Sequence, residues 1–262
     1  TLMGVTESEL FLRTRLRLEV VEGDEALVMQ APPLPAPLHL AWAQLTAQGL
    51  SVKERYQALI MSLRLTLTGF SLKQDIPVTT LLHQHRQSET IIRRFWEPLC
   101  IATLNTPIDR ASAQVFLRVL KDSFTKRRHD ADLLIPKEPL GELFPQRAAD
   151  YLRQQGMPVG TSQRVEAIHI NSHQLHAVSI SGEMLPCHDA IIATSPHAAA
   201  RLLEGQEALV PLRQQISELG SQPITTLYLQ YPSDHRLNEP MVGMSGTVTQ
   251  WLFDRRHCDQ PG

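Results

Sequence analysis

Gly-x-Gly sequences are absent from this chain, although it contains thirteen glycines. The absence excludes the glycine-rich loops by which standard dinucleotide-binding folds and P-loop proteins hold phosphate groups. Apolar runs long enough for a transmembrane helix, roughly 18 residues, are also missing. The longest apolar tract, residues 59–72, is interrupted by Arg64. The three cysteines are far apart and form no Cys-x-x-Cys pair, so neither a disulfide framework nor a zinc site is indicated.

Basic and acidic residues are nearly balanced, with 25 Lys and Arg against 27 Asp and Glu. This balance argues against nucleic-acid binding, which usually requires a strongly basic surface. Hydrophobic residues make up 42% of the 262 residues, enough for a substantial core. The first residues lack a secretory signal, and we predict a cytoplasmic protein. Neither end has the form of a natural terminus, so we expect a piece of a longer protein.

Familiar catalytic and metal-binding motifs are also lacking. Ser162, Ser195 and Ser245 have no Gly-x-Ser-x-Gly context, which disfavours a hydrolase nucleophile. His83 and His85 would diverge on the helix predicted for that segment, since residues two apart do not face each other. We therefore predict no metal site.

The residue pattern predicts an α+β fold, with strands, then a helical block, then mixed elements. Ser51 and Glu54 form a capping-box sequence at the start of one helix. A turn is predicted at Asn171 and Ser172. Strands are expected at residues 13–21, 26–29, 132–135, 158–161, 164–170, 175–180, 189–193, 224–231 and 247–253. Helices are expected at residues 37–48, 51–68, 79–85, 88–103, 109–124, 140–155, from 196 onward, and 206–219.

Three groups of segments together resemble the squalene-associated flavin-dependent desaturases, which are hydroxysqualene dehydroxylases of the phytoene desaturase and flavin amine oxidase superfamily. The first group is FWEPLCIATLNTP at 95–107 with residues 111–122, and the second is APPLPAPLHL at 31–40. The third comprises residues 134–136, 143–145, 165–168, 189–193 and 250–255. The resemblance extends over nearly the whole chain in the family's order.

This resemblance implies a fragment of a two-domain FAD-linked oxidoreductase, with a helical substrate region and mixed sheets. Residues 1–135 would form a substrate domain, mostly helical after an N-terminal strand pair. Residues 136–200 would be the central part of the FAD-binding domain, and 201–262 a return to the substrate domain. The family's glycine-rich loop and its later Ala-Gly-Asp segment are both missing from the sequence. We therefore expect a central fragment that binds FAD weakly or not at all and is inactive alone.

The resemblance also implies site residues. The backbone of Val165 would contact the FAD adenine, and Ala193 and Thr194 would lie near the cofactor. A C30 isoprenoid needs a long apolar tunnel, although ordinary core packing is the first expectation for each candidate for its wall. The candidates are Trp42, Phe70, Phe95, Trp96, Leu104, Phe116 and Trp251. Asn105 is a further pocket candidate, either as a polar anchor or as the turn residue that ends a helix.

The implied reaction is reductive removal of an allylic hydroxyl, in which an acid assists the departure of water and reduced FAD gives hydride. The sequence does not choose among four candidate proton donors, which are Glu97, Asp109, Asp254 and Tyr228. Two alternatives remain open. The first is a carotenoid desaturase of the phytoene type or another flavin amine oxidase-like enzyme, and the second is a non-catalytic lipid-binding module. The expected partners are an isoprenoid lipid and other squalene-pathway enzymes. Residues 32–45 could form an apolar lip that contacts the inner membrane, and exposed-loop or core packing is the alternative for that segment.

Overall fold

The computed structural model describes residues 6–124, 127–171, 174–232 and 234–258. The chain divides into two compact units. Unit one comprises residues 1–148 and 224–262, and unit two comprises residues 149–223. The predicted α+β class is confirmed. The division into substrate and flavin domains stays a prediction, and its boundaries at 136 and 200 differ from those of the compact units.

Strands of the described residues pair into three sheets. The strands are β1 (Phe11–Thr14), β2 (Arg17–Glu22), β3 (Glu25–Gln30), β4 (Leu133–Pro136), β5 (Val165–Asn171), β6 (Gln174–Ile180), β7 (Glu183–Pro186), β8 (Met241–Met244) and β9 (Trp251–Phe253). In unit one, β1 pairs with β4, and the second sheet has the order β3-β2-β8-β9. Its β2–β8 pair is parallel, with Val20 opposite Gly243, and its other pairs are antiparallel. In unit two, β5, β6 and β7 form an antiparallel meander.

Helices occur in both units, and α10 and α11 belong to unit two. The α-helices are α1 (Glu7–Leu10), α2 (Leu38–Leu45), α3 (Val52–Leu67), α4 (Val78–Gln84), α5 (Glu89–Ile91), α6 (Glu97–Leu104), α7 (Ala113–Phe124), α8 (Leu140–Leu143), α9 (Pro145–Gln154), α10 (Pro196–Leu202) and α11 (Val210–Ser217). A π-helical segment, Ile92–Trp96, joins α5 to α6. Short 3₁₀ turns lie at Arg128–Ala131, Glu207–Leu209 and Arg255–Cys258. Among the described residues, no helix is both long and apolar enough to cross a bilayer.

Local signals explain several of these elements. The capping box is present as predicted, because Ser51 Oγ accepts from the N–H of Glu54 while the Glu54 carboxylate accepts from the N–H of Ser51. The helix predicted at 37–48 ends earlier, since α2 stops at Leu45 with Thr46 as its C-cap. Gly49 lies beyond that end with a φ of +78°, and a Cβ there would lie 2.3 Å from the carbonyl oxygen of Ala26. A side chain at position 49 would collide with the backbone of β3, so only glycine fits here without strain.

The core of unit one lies between the second sheet and the helices. It includes Val20 and Leu27 from the sheet together with Met61, Leu81 and many other fully shielded side chains. The aromatic part of this core is a stack of three rings in edge-to-face contact. Phe95 and Trp96 have centroids 4.5 Å apart, and Trp96 and Phe116 are 6.3 Å apart.

Three predicted strands are wrong. Residues 158–161, 189–193 and 224–231 have irregular backbone, and 189–193 is exposed rather than buried. A strand requires a neighbouring strand to bond its N–H and C=O groups, and none of the described strands pairs with these runs. Strands β7 and β8 were not predicted from the sequence. All four residues of β7 are exposed, so it has no alternation of buried and exposed side chains, and β8 is only four residues long.

Other boundaries differ from the predictions for local reasons. The predicted strand 13–21 divides into β1 and β2 because the two parts join different sheets. Helix α7 begins at Ala113, four residues later than predicted, where Ser112 Oγ accepts from the N–H of Val115. The predicted helix 140–155 breaks before Pro145. Part of the turn predicted at Asn171 and Ser172 lies outside the described residues, since Ser172 is not among them.

Candidate functional site

A large apolar cavity lies within unit one. Its volume is about 2000 Å³, which exceeds the roughly 300–1,000 Å³ of ordinary small-molecule pockets. One wall comes from α2, α3, β2, α6 and the π-helical segment, and the facing wall comes from residues 224–232 and 248–256. The apolar side chains of the helical wall include Leu18, Met29, Leu40, Leu59, Leu63, Leu65, Leu99 and Leu120.

The sequence of α2 places a different set of residues on each of its sides. His39 and Ala43, four residues apart, are buried in the core. Leu40, Ala41 and Gln44 line the cavity. The remaining side, with Leu38, Trp42 and Leu45, faces outward and is also apolar.

The π-helical segment contributes two adjacent aromatic residues, Phe95 and Trp96, to the cavity wall. Trp96 is held by a buried hydrogen bond, in which its Nε1–H donates to Gln87 Oε1 at 2.9 Å. Gln87 in turn donates from Nε2 to the carbonyl oxygens of Gln57 and His85. These bonds fix the position of the indole that faces the cavity.

Two cavity-lining residues carry buried polar atoms that lack hydrogen-bond partners among the described residues. Gln44 Nε2 donates to Ser62 Oγ at 2.7 Å, but Gln44 Oε1 has no partner in the described part of the chain. The same holds for Nε1 of Trp251. A buried polar group that is left unpaired costs about 1–3 kcal/mol. These atoms are therefore the polar positions of the wall that a ligand could satisfy.

Asp254 is the acidic side chain that lines the cavity. Burial raises the pKa of its carboxyl, but hydrogen bonds from Arg256 and from the backbone N–H groups of Leu237 and Arg256 outweigh burial and lower the pKa overall. Asp254 is thus an ionised acceptor at neutral pH. Its carboxylate accepts from the backbone at both Leu237 and Arg256, and it therefore joins the chain near residue 237 to the 248–256 part of the facing wall.

The other three proton-donor candidates are placed differently. Tyr228 lines the cavity and exposes its ring. Glu97 and Asp109 are not among the lining residues. Burial, and after it the charge of Asp109, raises the pKa of Glu97. The structure therefore brings Tyr228 and Asp254 to the cavity and leaves Glu97 and Asp109 outside it.

The structure brings most of the predicted tunnel residues to one cavity. Phe70, Phe95, Trp96, Asn105 and Trp251 all line it. Asn105 ends α6 in the left-handed conformation, with a φ of 47°. The substrate-binding role of these residues stays a prediction.

Three predicted tunnel residues lie elsewhere. Phe116 is fully buried behind Trp96. Leu104 packs on the core without lining the cavity. Trp42 faces outward and is 54% exposed. An aromatic or apolar residue type indicates burial, but it does not tell core from cavity wall.

Sequence reasoning missed the Gln44–Ser62 pair and most of the facing wall. Gln44 is a polar residue in an otherwise apolar helix, and that contrast was the available signal. Residues 224–231 were predicted as a strand, and nothing in their pattern indicated that they would line a cavity together with α2 and α3.

The residues predicted to contact FAD lie in unit two. Val165 opens the edge strand β5 opposite Ile180, and Ala193 and Thr194 lie in exposed irregular chain before α10. An edge strand can offer backbone groups to an adenine ring. However, the described residues contain no glycine-rich turn that joins a parallel strand to a helix, so a pyrophosphate cradle is not found in them. These residues therefore do not form a complete flavin site.

Comparison with known proteins gives a family and a fold. A family model described as flavin containing amine oxidoreductase matches residues 9–260. Among curated proteins no match is found. The chain is similar to a solved oxidoreductase from Methanosarcina mazei, with 13% identity over 80% of this chain and 47% of that one and a TM-score of 0.57. It is also similar to a proposed protoporphyrinogen oxidase from Exiguobacterium sp. 255-15, with 12% identity over 81% and 48% of the two chains and a TM-score of 0.48. The chain thus spans about half the length of these structures.

Proposed function

Because the chain belongs to the flavin-containing amine oxidoreductase family, we propose that its cavity binds a long isoprenoid alcohol. The reaction that we propose for the whole protein is the reductive dehydroxylation of hydroxysqualene to squalene. In this reaction a C–O bond breaks, a hydride and a proton are added, and water leaves. The family's flavin is the reductant, and residues of this chain bind the substrate and exclude water.

The observation that carries the proposal is the size and character of the cavity. Its volume of about 2000 Å³ suits an extended hydrocarbon better than a compact polar metabolite. Leucines and aromatic rings dominate its helical wall, and burial of an apolar chain against them contributes about 25 cal/mol per Å². A C30 chain therefore has both the room and the driving force to bind.

The Gln44–Ser62 pair supports an alcohol rather than a pure hydrocarbon. Gln44 Oε1 can accept a hydrogen bond from a ligand hydroxyl, and no described residue supplies one. Ser62 Oγ already accepts from Gln44 Nε2, which holds the carboxamide in place. A site that hydrogen-bonds a hydroxyl discriminates strongly against an analogue that lacks it. We assign this pair as the anchor of the substrate hydroxyl.

The test uses the full-length gene product. It is incubated anaerobically with reduced FAD and hydroxysqualene, and squalene is measured by mass spectrometry. We expect squalene above the no-enzyme control. A protein that visibly holds flavin but forms no squalene would contradict the proposed reaction, and a product with additional double bonds from phytoene would favour a carotenoid desaturase.

Equilibrium binding of hydroxysqualene and of squalene to the full-length gene product tests the anchor with Gln44→Leu, which removes the carboxamide and nearly keeps its volume. We expect a five- to tenfold loss of affinity for the alcohol, which corresponds to roughly 1–1.4 kcal/mol, with little change for squalene itself. Gln154→Leu, at the exposed end of α9, is the matched control. Equal losses for alcohol and hydrocarbon would remove Gln44 from this role.

A further inference from the structure

Among the described residues, one histidine lies in the cavity lining, beside arginines, tyrosines and a carboxylate. The ionisable side chains of this lining are Arg17, Tyr228, Tyr231, His235, Arg236, Asp254, Arg255 and Arg256. Of these residue types, only histidine ordinarily changes its charge between about pH 5 and 8. Loss of a hydroxyl group needs a proton donor in that range, because water leaves carbon far more readily than hydroxide does. His235 therefore has the chemistry that the proposed reaction requires.

The backbone of His235 is fixed by hydrogen bonds. Its N–H donates to the carbonyl oxygen of Pro232 at 3.1 Å, and its own carbonyl oxygen accepts from Nη2 of Arg256. Arg256 also donates from Nη1 to the carbonyl oxygen of Pro232 at 3.2 Å and from Nε to Oδ1 of Asp254 at 3.1 Å. Asp254 is buried and directly follows β9. These bonds tie His235 to the end of the sheet and hold its position in the cavity wall.

The imidazole ring of His235 is oriented by its neighbours. Tyr231 stacks on it, with ring centroids 6.1 Å apart and an interplanar angle of 30°. Nδ1 lies 3.0 Å from Oδ1 of Asp234, and since a carboxylate only accepts, Nδ1 is the donor. No described residue bonds Nε2 of this ring. Protonation therefore creates an N–H donor at Nε2 that a ligand in the cavity can use, while the Asp234 carboxylate stabilises the positive ring.

The four proton-donor candidates from the sequence are less suited to this role. Burial raises the pKa of Asp254, but its hydrogen bonds outweigh burial and lower it, so Asp254 has no proton to give near neutral pH. Glu97 and Asp109 do not line the cavity. Tyr228 does line it, but a phenol is ordinarily a much weaker acid than an imidazolium. His235 combines the position with a suitable acidity.

We propose that His235 is the catalytic acid of the dehydroxylation, a role that rests on the proposed function. The protonated ring gives its Nε2 proton to the substrate hydroxyl, the C–O bond breaks with its electron pair on oxygen, and water leaves. The allylic carbon accepts the hydride that the family's flavin supplies, and the neutral imidazole regains a proton from solvent. Gln44 Oε1 accepts from the hydroxyl hydrogen, so the two residues act on different atoms of one hydroxyl group.

The first test follows squalene formation by the full-length gene product with reduced FAD between about pH 5 and 9, the range that spans imidazole titration. Turnover of the parent should fall as pH rises and the imidazole loses its proton. His235→Asn should lower kcat by about 100-fold or more, the usual effect of general acid catalysis, and abolish this fall. Its affinity for hydroxysqualene should change by less than about fivefold. The matched control is His83→Asn, since His83 is also exposed and bonded to a carboxylate, that of Glu89, but lies outside the cavity.

Chemical rescue separates a proton donor from a merely structural residue. Added imidazole should restore turnover of His235→Ala at least tenfold, roughly a part of the general-acid effect, and should not change that of His83→Ala. Asp234→Asn should move the fall in turnover to lower pH, because the ring loses the carboxylate that stabilises its charge. A parental kcat and pH profile in His235→Asn would overturn the proposal. Loss of turnover in Tyr228→Phe but not in His235→Asn would assign the proton to Tyr228 instead.

Acylation of imidazoles by diethyl pyrocarbonate tests the contact between His235 and the ligand without turnover. The extent of reaction at each histidine is measured by mass spectrometry of peptides, with and without saturating hydroxysqualene. We expect the alcohol to protect His235 and to leave the reaction of His83 unchanged. Equal acylation of His235 in both samples would show that the ligand does not reach the ring, and would overturn the assignment. Because this measurement uses no reductant, its failure is distinguishable from a failure to form squalene.

Discussion

Replacement of Gln87 by methionine removes the polar support behind the cavity wall. Gln87 is 5% exposed. Its Oε1 accepts from Trp96 Nε1 at 2.9 Å, and its Nε2 donates to the carbonyl oxygens of Gln57 at 3.1 Å and His85 at 3.2 Å. Methionine has nearly the same volume but makes none of these bonds, so the packing contribution changes little.

The magnitude follows from the three bonds. Each contributes about 1 kcal/mol net, and the buried indole N–H of Trp96 is left without its acceptor. We expect a loss of about 3 kcal/mol in the free energy of unfolding. For a chain of this size that corresponds to a fall of roughly 6–12 °C in the midpoint of thermal unfolding.

The assay is urea unfolding monitored by tryptophan fluorescence. It reports on unit one, because Trp42, Trp96 and Trp251 all lie in that unit. Gln154→Met, on an exposed position, is the control and should change stability by less than about 0.5 kcal/mol. A loss below about 1 kcal/mol for Gln87→Met would refute the view that this glutamine supports the wall.

Two further predictions concern the sheet that borders the cavity. Gly49→Ala should destabilise unit one by about 2 kcal/mol or more in urea unfolding, because its Cβ would meet the carbonyl of Ala26. Gly69→Ala shares the positive φ but meets nothing within 4 Å, so a loss as large as that of Gly49→Ala would contradict the steric reasoning. Glu22 is hydrogen-bonded by Arg93 and Arg94, which lower its pKa from 4.5 to about 2. Since the folded-state pKa is the lower one, this stabilisation is present above about pH 5 and is lost as pH falls from 4.5 to 2. The stability difference between the parent and Glu22→Gln, about 1–3 kcal/mol near neutrality, should therefore shrink at pH 3, and a constant difference would argue against the ion pairs as its source.

Local signals in the sequence were sufficient for most helices. The capping box at Ser51 involves residues within one turn of each other, and the structure shows it where it was predicted. The hairpin of β2 and β3 is similarly local, with a tight turn between two alternating runs. Such features depend on near neighbours, which a single sequence contains.

The cavity could be predicted only in part, because its two walls are far apart in the chain. Phe95 and Trp96 were expected as tunnel residues, whereas residues 224–231 of the facing wall were expected as a strand. The parallel pairing of Val20 with Gly243 brings the two walls together across more than 200 residues. The hydrophobic pattern within either strand does not indicate which distant strand it pairs with.

The wrong strand prediction at 224–231 has a physical explanation in the cavity itself. Apolar residues in such a run predict burial, yet Leu227 and Leu229 are 78% and 69% exposed. Both line the cavity, so the surface that they expose includes its wall. The apolar residue types of this run therefore correspond to a place on the cavity wall. A strand also needs a partner for its backbone N–H and C=O groups, and no described strand pairs with residues 224–231. A pattern of residue types within one segment does not show whether such a partner exists.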